Sequence, residues 1–416
     1  MASGPVLSGG PILRSLVRGA AILAVTALAG VVALSSSIAQ ISSRNDPQRA
    51  LAWAPRDAHA RGEAAARLAT RPASAEQLAV AKQLAKGAAA RDPTVISAFR
   101  ALGLAADLEG DREAALSYFT RASELSRRDR ATQLWFLAHY QREQDETAFV
   151  RQFDVALRTS QSSIDELLPL LVSATAEPRI LPPLRDVLAT RPPWALTFTT
   201  QLISFGPELD TVVSLTKGRL DPNDAYQRSL IEALISRLVN SGQFGLAWQV
   251  FADAAPGARS AGMWGSNFET DTEFAPFGWD LAEEEELFAV RGARPNDDGF
   301  ALMLNALNGT AGTVARRLLR LEAGAQRLSG ETGYIPANSF DRPRIRVSCA
   351  RAEGAGRQLV EVVPNGGSAP RRFSVVFDVP TGCRWQWLTI DLAGQEAELE
   401  QSPWLDNLTI RPVSGT

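Results

Sequence analysis

The chain has 416 residues, of which 45% are hydrophobic, and this length indicates two or three domains because single hydrophobic cores stop growing beyond about 250–300 residues. The formal net charge of -3 argues against a nucleic-acid-binding protein. Only two histidines are present, His59 and His139, which argues against a histidine-based metal cluster and against a Ser-His-Asp triad. The two cysteines have no CxxC spacing, which argues against a zinc site.

The N-terminus carries an uncharged run at residues 19–40, preceded by Arg14 and Arg18. About twenty helical residues span roughly 30 Å, the thickness of a bilayer core. The sequence therefore predicts a cytoplasmic N-terminus at residues 1–18, a transmembrane helix at residues 19–40 and a linker at residues 41–61. A cleaved signal peptide is the alternative. Both interpretations export the rest of the chain, and the anchor predicts a single-pass protein of the bacterial inner membrane, mostly periplasmic.

The middle of the chain repeats with a period of 34 residues. One unit, residues 96–129, places small residues and one phenylalanine where two antiparallel helices would touch: Gly103, Ala115, Phe119 and Ala122. Gly110 falls at the turn between them, where glycine adopts a positive φ at little cost. Similar residues recur one period earlier, at Ala81, Ala85 and Ala88, and one period later, at Phe149, Phe153 and Ala156.

This pattern resembles the tetratricopeptide repeat (TPR) family over residues 62–258. The register fades after the third repeat and returns near the end of that range, at Leu234, Gly242, Ala247, Phe251 and Ala254. The resemblance implies an all-α solenoid whose concave groove binds peptides or extended protein segments, and hence a protein partner. The quoted residues are packing residues, so they assign no binding residue in the groove.

Beyond residue 262 the hydrophobic period changes from helical to two. One run places aliphatic residues on one face and tryptophans on the other: Leu388, Ile390 and Leu392 against Trp385 and Trp387. Turn signals such as PNGG and PTG separate several runs of this kind. The pattern predicts an all-β antiparallel sandwich or jelly roll over residues 262–416.

Two fragments, NFETD and WLDNLTI, resemble the first and last strands of galactose-binding-like sandwiches, which include carbohydrate-binding modules. The resemblance is carried by Asn267, Phe268, Glu269, Trp279, Trp404, Asp406, Asn407 and Leu408. It implies that the first and last strands lie side by side and bring Glu269 near Asp406, where some members hold a structural calcium ion. The alternative is a pair of exposed acids at strand ends. No other cofactor is expected.

Two residue pairs in this domain are singled out. Cys349 and Cys383 fall in predicted strands, and in an exported protein this predicts a disulfide, with two free thiols as the alternative. Trp385 and Trp387 are candidate ligand-binding residues, because side chains two apart on a strand point the same way and indole rings could stack on sugars. The alternatives are that a loop or the solenoid covers them, or that they face the core.

No catalytic residue is assigned. The acidic run at residues 283–286 is interpreted as a solvated loop or strand edge, and no pair of carboxylates can be placed for glycoside hydrolysis. The sequence thus predicts a non-enzymatic, membrane-anchored periplasmic adaptor that binds a protein partner through the TPR groove and glycan through the sandwich, in envelope polysaccharide assembly or export. The alternatives are a glycan-active enzyme and a structural scaffold whose sandwich caps the solenoid.

Overall fold

The computed structural model describes residues 45–70, 72–159, 164–257, 263, 265–270, 274–295, 299–307, 309–351, 354–394 and 401–413. The chain divides into two compact units, Met1–Ala195 and Leu196–Thr416. In the described part of the chain, the first unit is helical, and the second combines the last helices with all of the strands. A helical N-terminal region followed by antiparallel sheets agrees with the all-α and all-β parts of the predicted fold class, whereas the described residues show no transmembrane helix, and the TPR solenoid stays a prediction.

The described part of the first unit contains nine α-helices: α1 Pro47–Trp53, α2 Ala58–Leu68, α3 Ala75–Arg91, α4 Ile96–Glu109, α5 Arg112–Leu125, α6 Arg130–Glu143, α7 Glu146–Thr159, α8 Ile164–Ala174 and α9 Leu181–Ala189. Polar side chains mark several helix starts. Before α3, the Ser74 hydroxyl accepts the backbone N–H of Gln77, and the Gln77 side chain accepts the backbone N–H of Ser74. Such capping satisfies backbone groups that have no partner within the helix.

Helices α4 and α5 pack as the 34-residue pattern predicts. Ala115, Phe119 and Ala122 are fully buried. A Cβ atom added at Gly103 would lie 2.7 Å from the ring of Phe119, so only glycine allows this approach. Gly110 has a φ of 83° at the turn between the helices. The structure therefore confirms the packing role of these residues, while membership of the TPR family stays a prediction.

The second unit contains four α-helices: α10 Ala195–Phe205, α11 Leu209–Thr216, α12 Ala225–Asn240 and α13 Phe244–Ala254. The boundary between the two units falls after Ala195, the first residue of α10. Arg237 of α12 donates to the carbonyl oxygens of Ile203 and Gly206 at 2.7 and 2.6 Å, which satisfies free carbonyls at the end of α10. The last described α-helix ends at Ala254, close to the predicted end of the helical region at residue 258. The compact unit nevertheless begins at residue 196, because α13 packs against the sandwich.

Ten strands form the described part of the sandwich: β1 Asp280–Leu281, β2 Leu287–Ala293, β3 Phe300–Ala306, β4 Ala311–Leu319, β5 Gly324–Gly333, β6 Arg344–Arg351, β7 Gly354–Val362, β8 Arg371–Val379, β9 Gln386–Ala393 and β10 Trp404–Pro412. They pair antiparallel in two five-stranded sheets, ordered β1-β4-β9-β6-β7 and β2-β3-β10-β5-β8. Alternate residues meet in one core, which includes Leu302, Ile345, Leu388 and Leu405. The predicted antiparallel sandwich is confirmed.

The predicted disulfide is also confirmed. Cys349 of β6 is bonded to Cys383, with their Cα atoms 5.5 Å apart. Cys383 lies in the turn before β9 rather than on a strand, since a turn begins at Thr381. The bond therefore joins the ends of two neighbouring strands and closes a loop within the sandwich.

The predicted localisation, a single-pass protein of the bacterial inner membrane, is contradicted. Across the residues that the structure describes, no helix combines the length and the apolar character that crossing a bilayer requires. The physical reason is visible in α3, which has 17 residues and carries Lys82 and Lys86. The run at residues 19–40, on which the prediction depended, lies outside the described residues.

Candidate functional site

Of the two candidate tryptophans, Trp387 is the second residue of β9 and Trp385 directly precedes the strand. Leu388 and Ile390 are fully buried in the sandwich core, which confirms the predicted assignment of the two faces. Trp387 lies on the opposite face, but it is only 8% exposed, and Trp385 is half-buried. Neither ring is the open stacking platform that the sequence predicted. Ligand contact by either residue stays a prediction.

Trp385 is covered by aromatic rings from α13 and from the segment before β1. The centroid of its ring lies 6.2 Å from that of Phe244, 6.1 Å from that of Trp248 and 6.2 Å from that of Phe277. Phe251 stacks on Phe277 at 4.9 Å. We call these five residues the docking cluster. The docking cluster joins α13 to the first sheet. Trp385 is therefore covered by a helix, as in the alternative that the solenoid covers the tryptophans.

Trp387 lines a groove on the outer face of the first sheet. Strand pairing sets Asp280 beside Arg316, and Arg316 beside Thr389, in one row across β1, β4 and β9. The Nε atom of Arg316 donates to Oδ2 of Asp280 at 2.7 Å, and the guanidinium carbon lies 5.4 Å from the centroid of Trp387. Thr313 and Arg351 also line the groove, whose volume is about 380 Å³.

Helix α12 forms the opposite wall. Glu232, Ser236 and Asn240 are spaced four residues apart, so they share one face of the helix. They line a cavity of about 370 Å³ together with Asp280 and Trp387. Asn240 and Trp387 line both cavities, so the two are parts of one space, the helix–sheet groove.

Three arginines along this face form ion pairs. Besides the pair formed by Arg316, the Nη1 atom of Arg344 lies 3.3 Å from Oε1 of Glu361, and Arg346 forms an ion pair with Asp391. The carboxylate of Glu232 accepts the backbone N–H of Phe274 at 3.0 Å. The groove therefore presents mainly hydrogen-bonding groups and one edge of an indole ring. Such a surface suits a ligand that carries hydroxyl groups and apolar ring faces.

The two residues predicted to hold calcium lie near the second sheet. The Asp406 side chain is only 2% exposed, and its Oδ2 atom accepts from Nη1 of Arg294 at 3.0 Å. Burial raises the pKa of the Asp406 carboxyl, while the N–H of Asn407 and the charge of Arg294 oppose this change. The negative charges of Glu331 and Glu269 raise the pKa further.

Glu269 is close enough to act on Asp406, but it lies in a bend rather than on a first strand. Its carboxylate accepts the backbone N–H of Phe300 at 3.3 Å. In the described ranges, no group of three or more His, Cys, Asp or Glu side chains could hold a metal ion. Arg294 supplies positive charge directly beside Asp406, and a calcium ion at this position stays a prediction.

Sequence reasoning missed most of the helix–sheet groove. Asp280 belongs to a strand of two residues, which is too short to produce an alternating pattern. The polar face of α12, formed by Glu232, Ser236 and Asn240, can be recognised in the sequence from its spacing of four residues. A surface helix presents such a face to solvent or to a ligand. The acidic run at residues 283–286 is exposed, as predicted.

Comparison with known proteins places only part of the chain. No protein-family model matches the sequence, and no curated protein matches it. Solved structures of carbohydrate-binding modules resemble about a third of the chain. One is the structure of TmCBM61 in complex with beta-1,4-galactotriose, with 16% identity and a TM-score of 0.26, covering 36% of this chain and 97% of that chain.

Two further structures are similar to the same extent. A CBM4 structure shows 13% identity and a TM-score of 0.28, covering 36% of this chain and 99% of that chain. The CBM22-1 xylan-binding domain from Paenibacillus barcinonensis Xyn10C shows 10% identity and a TM-score of 0.25, covering 36% of this chain and 94% of that chain. Similarity at these levels assigns neither a ligand nor an activity to this protein.

Proposed function

We propose that this protein is a non-enzymatic binding protein with two ligands. The helix–sheet groove holds a segment of carbohydrate, and the helical first unit, acting as a TPR-like array, holds a protein partner. The observation that carries the proposal is the groove, in which Trp387 lies among hydroxyl, amide and charged side chains.

The composition of the groove matches the chemistry of a sugar. A sugar ring presents apolar C–H faces and hydroxyl groups that both donate and accept hydrogen bonds. Thr313 and Thr389 offer hydroxyl groups, Asn240 offers an amide, and Trp387 offers an apolar edge. The volume of about 380 Å³ lies within the range of small-ligand sites.

The carboxylates of the groove favour binding over hydrolysis. Hydrolysis of a glycosidic bond needs one carboxylic acid and one free carboxylate on opposite sides of the bond. Asp280 is held by Nε of Arg316 at 2.7 Å, and Glu232 accepts the backbone N–H of Phe274 at 3.0 Å. Both acids therefore stabilise the walls of the groove, which supports a protein without hydrolytic activity.

The packing of the first unit supports a repeat array. The close approach of Gly103 to Phe119 and the buried alanines of α3, at Ala81, Ala85 and Ala88, follow the positions of the 34-residue pattern. Repeats that contact mainly their neighbours form extended surfaces that bind peptide segments. Crosslinking of the native protein followed by mass spectrometry should locate a protein partner on α2–α7. Crosslinks confined to residues 280–413 would contradict this part of the proposal.

A second candidate function is structural, and the docking cluster favours it. Trp385 uses its ring to bind α13 through Phe244 and Trp248, so part of this sheet face already serves an internal interface. In this function the sandwich caps the last helices and binds no carbohydrate. The two candidates differ in one observable, the occupancy of the groove beside Trp387.

The test is binding of carbohydrates to the full-length protein and to two variants. Asn240→Ala and Thr389→Val each remove one hydrogen-bonding group while leaving Trp387 in place. We expect each to weaken binding by about three- to tenfold, since a hydrogen bond contributes about 0.5–1.5 kcal/mol. Glycan arrays identify the ligand, and calorimetry measures its affinity.

The matched control is Trp53→Ala, which removes a tryptophan that is 53% exposed in the first unit. It should bind carbohydrate as the unmodified protein does. If no glycan binds, or if both groove variants bind with unchanged affinity, the carbohydrate function is wrong and the structural one is favoured.

A further inference from the structure

We infer that the carbohydrate in the helix–sheet groove is acidic and that its carboxylate binds Arg351. This inference rests on the proposed function and adds the class of ligand to it. Arg351 is the last residue of β6, it is exposed, and it lines the groove together with Trp387 and Thr389. A guanidinium group at this position faces any ligand that contacts the indole edge.

Arg351 differs from the other arginines of this sheet face. Arg316, Arg344 and Arg346 each form an ion pair with an acidic residue of the same sheet. Across the part of the chain that the structure describes, no ion pair involves Arg351. Among the described residues that line the groove, one positive charge is therefore without an ion pair.

The backbone of β7 supports this side chain. A Cβ atom added at Gly356 would lie 2.9 Å from Nε of Arg351, so the guanidinium stem lies directly against the backbone of β7. A side chain supported in this way loses less conformational freedom when it binds a ligand than a free arginine does. Arginine also matches a carboxylate with two parallel hydrogen bonds.

The two ends of the groove differ in charge, which orients the ligand. Besides Arg351, the charged residues that line this cavity are Asp280 and Arg316, which neutralise one another. At the other end, Glu232 adds a negative charge to the same pair. A carboxylate is therefore attracted to the Arg351 end and repelled from the Glu232 end. A uronic acid residue meets both conditions, because its carboxylate and its hydroxylated ring occupy one unit.

The experiment compares oligosaccharides of uronic acids with the same oligosaccharides after methyl esterification, which removes the charge and keeps the ring. The panel contains oligomers of galacturonate, mannuronate, guluronate and glucuronate, and binding to the full-length protein is measured by calorimetry at low and at physiological salt. We expect the best-bound acid to bind about fivefold more tightly than its ester, because an exposed charge pair contributes up to about 1 kcal/mol. This preference should decrease with salt.

Variants show whether Arg351 causes the preference for the acid over its ester. Arg351→Gln should bind the acid and its ester alike, Arg351→Lys should keep part of the preference, and Arg327→Gln should behave as the unmodified protein. Arg327 is an exposed arginine of β5, on the other sheet, and serves as the matched control. Circular dichroism of each variant checks that the fold is retained.

The outcomes separate this inference from the proposed function. If neutral carbohydrates bind in the groove and no acid is preferred, or if Arg351→Gln keeps the preference, the inference is overturned and the proposed function stands. If no carbohydrate of either kind binds, both fail. If polyglutamate displaces the bound uronate through Arg351 and binds more tightly than any uronate, the acidic ligand is a protein segment and the inference is overturned.

Discussion

Replacing Trp385 with alanine should loosen helix α13 from the sandwich. The ring of Trp385 has three aromatic neighbours, with centroids 6.1 to 6.2 Å away. Truncation of a fully buried tryptophan costs about 3–5 kcal/mol, and because Trp385 is only half-buried we expect about 2–3 kcal/mol. Core residues such as Leu388 remain in place, so the sandwich itself should stay folded.

Native-state hydrogen exchange measures this effect where it occurs. A loss of 2 kcal/mol in the local opening free energy makes amide exchange about 30-fold faster, and we expect this change in α12 and α13 but not in β6 or β9. Trp385→Phe should keep most of the protection, because phenylalanine retains an aromatic contact. Trp53→Ala, at an exposed tryptophan, should change nothing in these helices.

Unchanged protection of α13 in Trp385→Ala would show that the ring does not hold this helix on the sandwich. If Trp385→Ala loses carbohydrate binding while α13 stays protected, Trp385 contacts the ligand and the docking cluster is not an interface. If the whole second unit unfolds, the ring is part of the core that the sequence assigned to the other face of β9.

Three further predictions concern stability, each measured by urea denaturation. Cys383→Ser should lower the free energy of unfolding of the second unit by about 3–4 kcal/mol, since the disulfide closes a sequence separation of 34 residues, and an unchanged midpoint would contradict this. Gly103→Val should lower the free energy of unfolding by about 1–3 kcal/mol, because the new side chain meets Phe119. Gly110→Ala should lower it by about 1 kcal/mol, because φ is 83° there although the space around the residue is open. Equal losses in the two variants would refute the close packing of Gly103 against Phe119. Because burial raises the pKa of Asp406, the folded state holds this proton at a pH where the unfolded state has lost it. The stability that this bound proton contributes is fully present below the unfolded pKa of Asp406 and is lost as pH rises through its folded pKa. Between these two pKa values, the unmodified protein should therefore gain stability relative to Asp406→Asn as the pH falls. A difference in unfolding free energy that stays constant with pH would contradict this prediction.

Local patterns predicted the parts of the fold that depend on neighbours in sequence. The alternation in β9 assigned Leu388 and Ile390 to the core, and the 34-residue period identified Gly103 and Phe119 as contacts between helices. Both follow from the periodicity of a single element, which the sequence displays directly. The disulfide was predicted from the presence of both cysteines in one domain, although Cys383 lies in a turn and not on a strand.

Long-range packing decided what the sequence could not predict. Whether the outer face of β9 is open depends on α13, which precedes it in the chain by more than 130 residues, and no local pattern reports this contact. The partner of Asp406 is likewise distant, because Arg294 lies 112 residues away. A resemblance to calcium-binding sandwiches could place Asp406 but not the arginine beside it.

The positions of β9 and β10 in the two sheets have a consequence for the order of synthesis. Each is the central strand of its sheet, with β9 between β4 and β6 and β10 between β3 and β5. During translation, the eight earlier strands therefore emerge without the two that join them. The first sheet cannot close until β9, which ends at Ala393, has left the ribosome, and the second cannot close until β10, which ends at Pro412, has left it. Until Trp385 has emerged, Phe244 and Trp248 of α13 cannot contact its ring. The nascent second unit thus exposes aromatic surface for most of its synthesis, which makes it a substrate for chaperones that bind such surface.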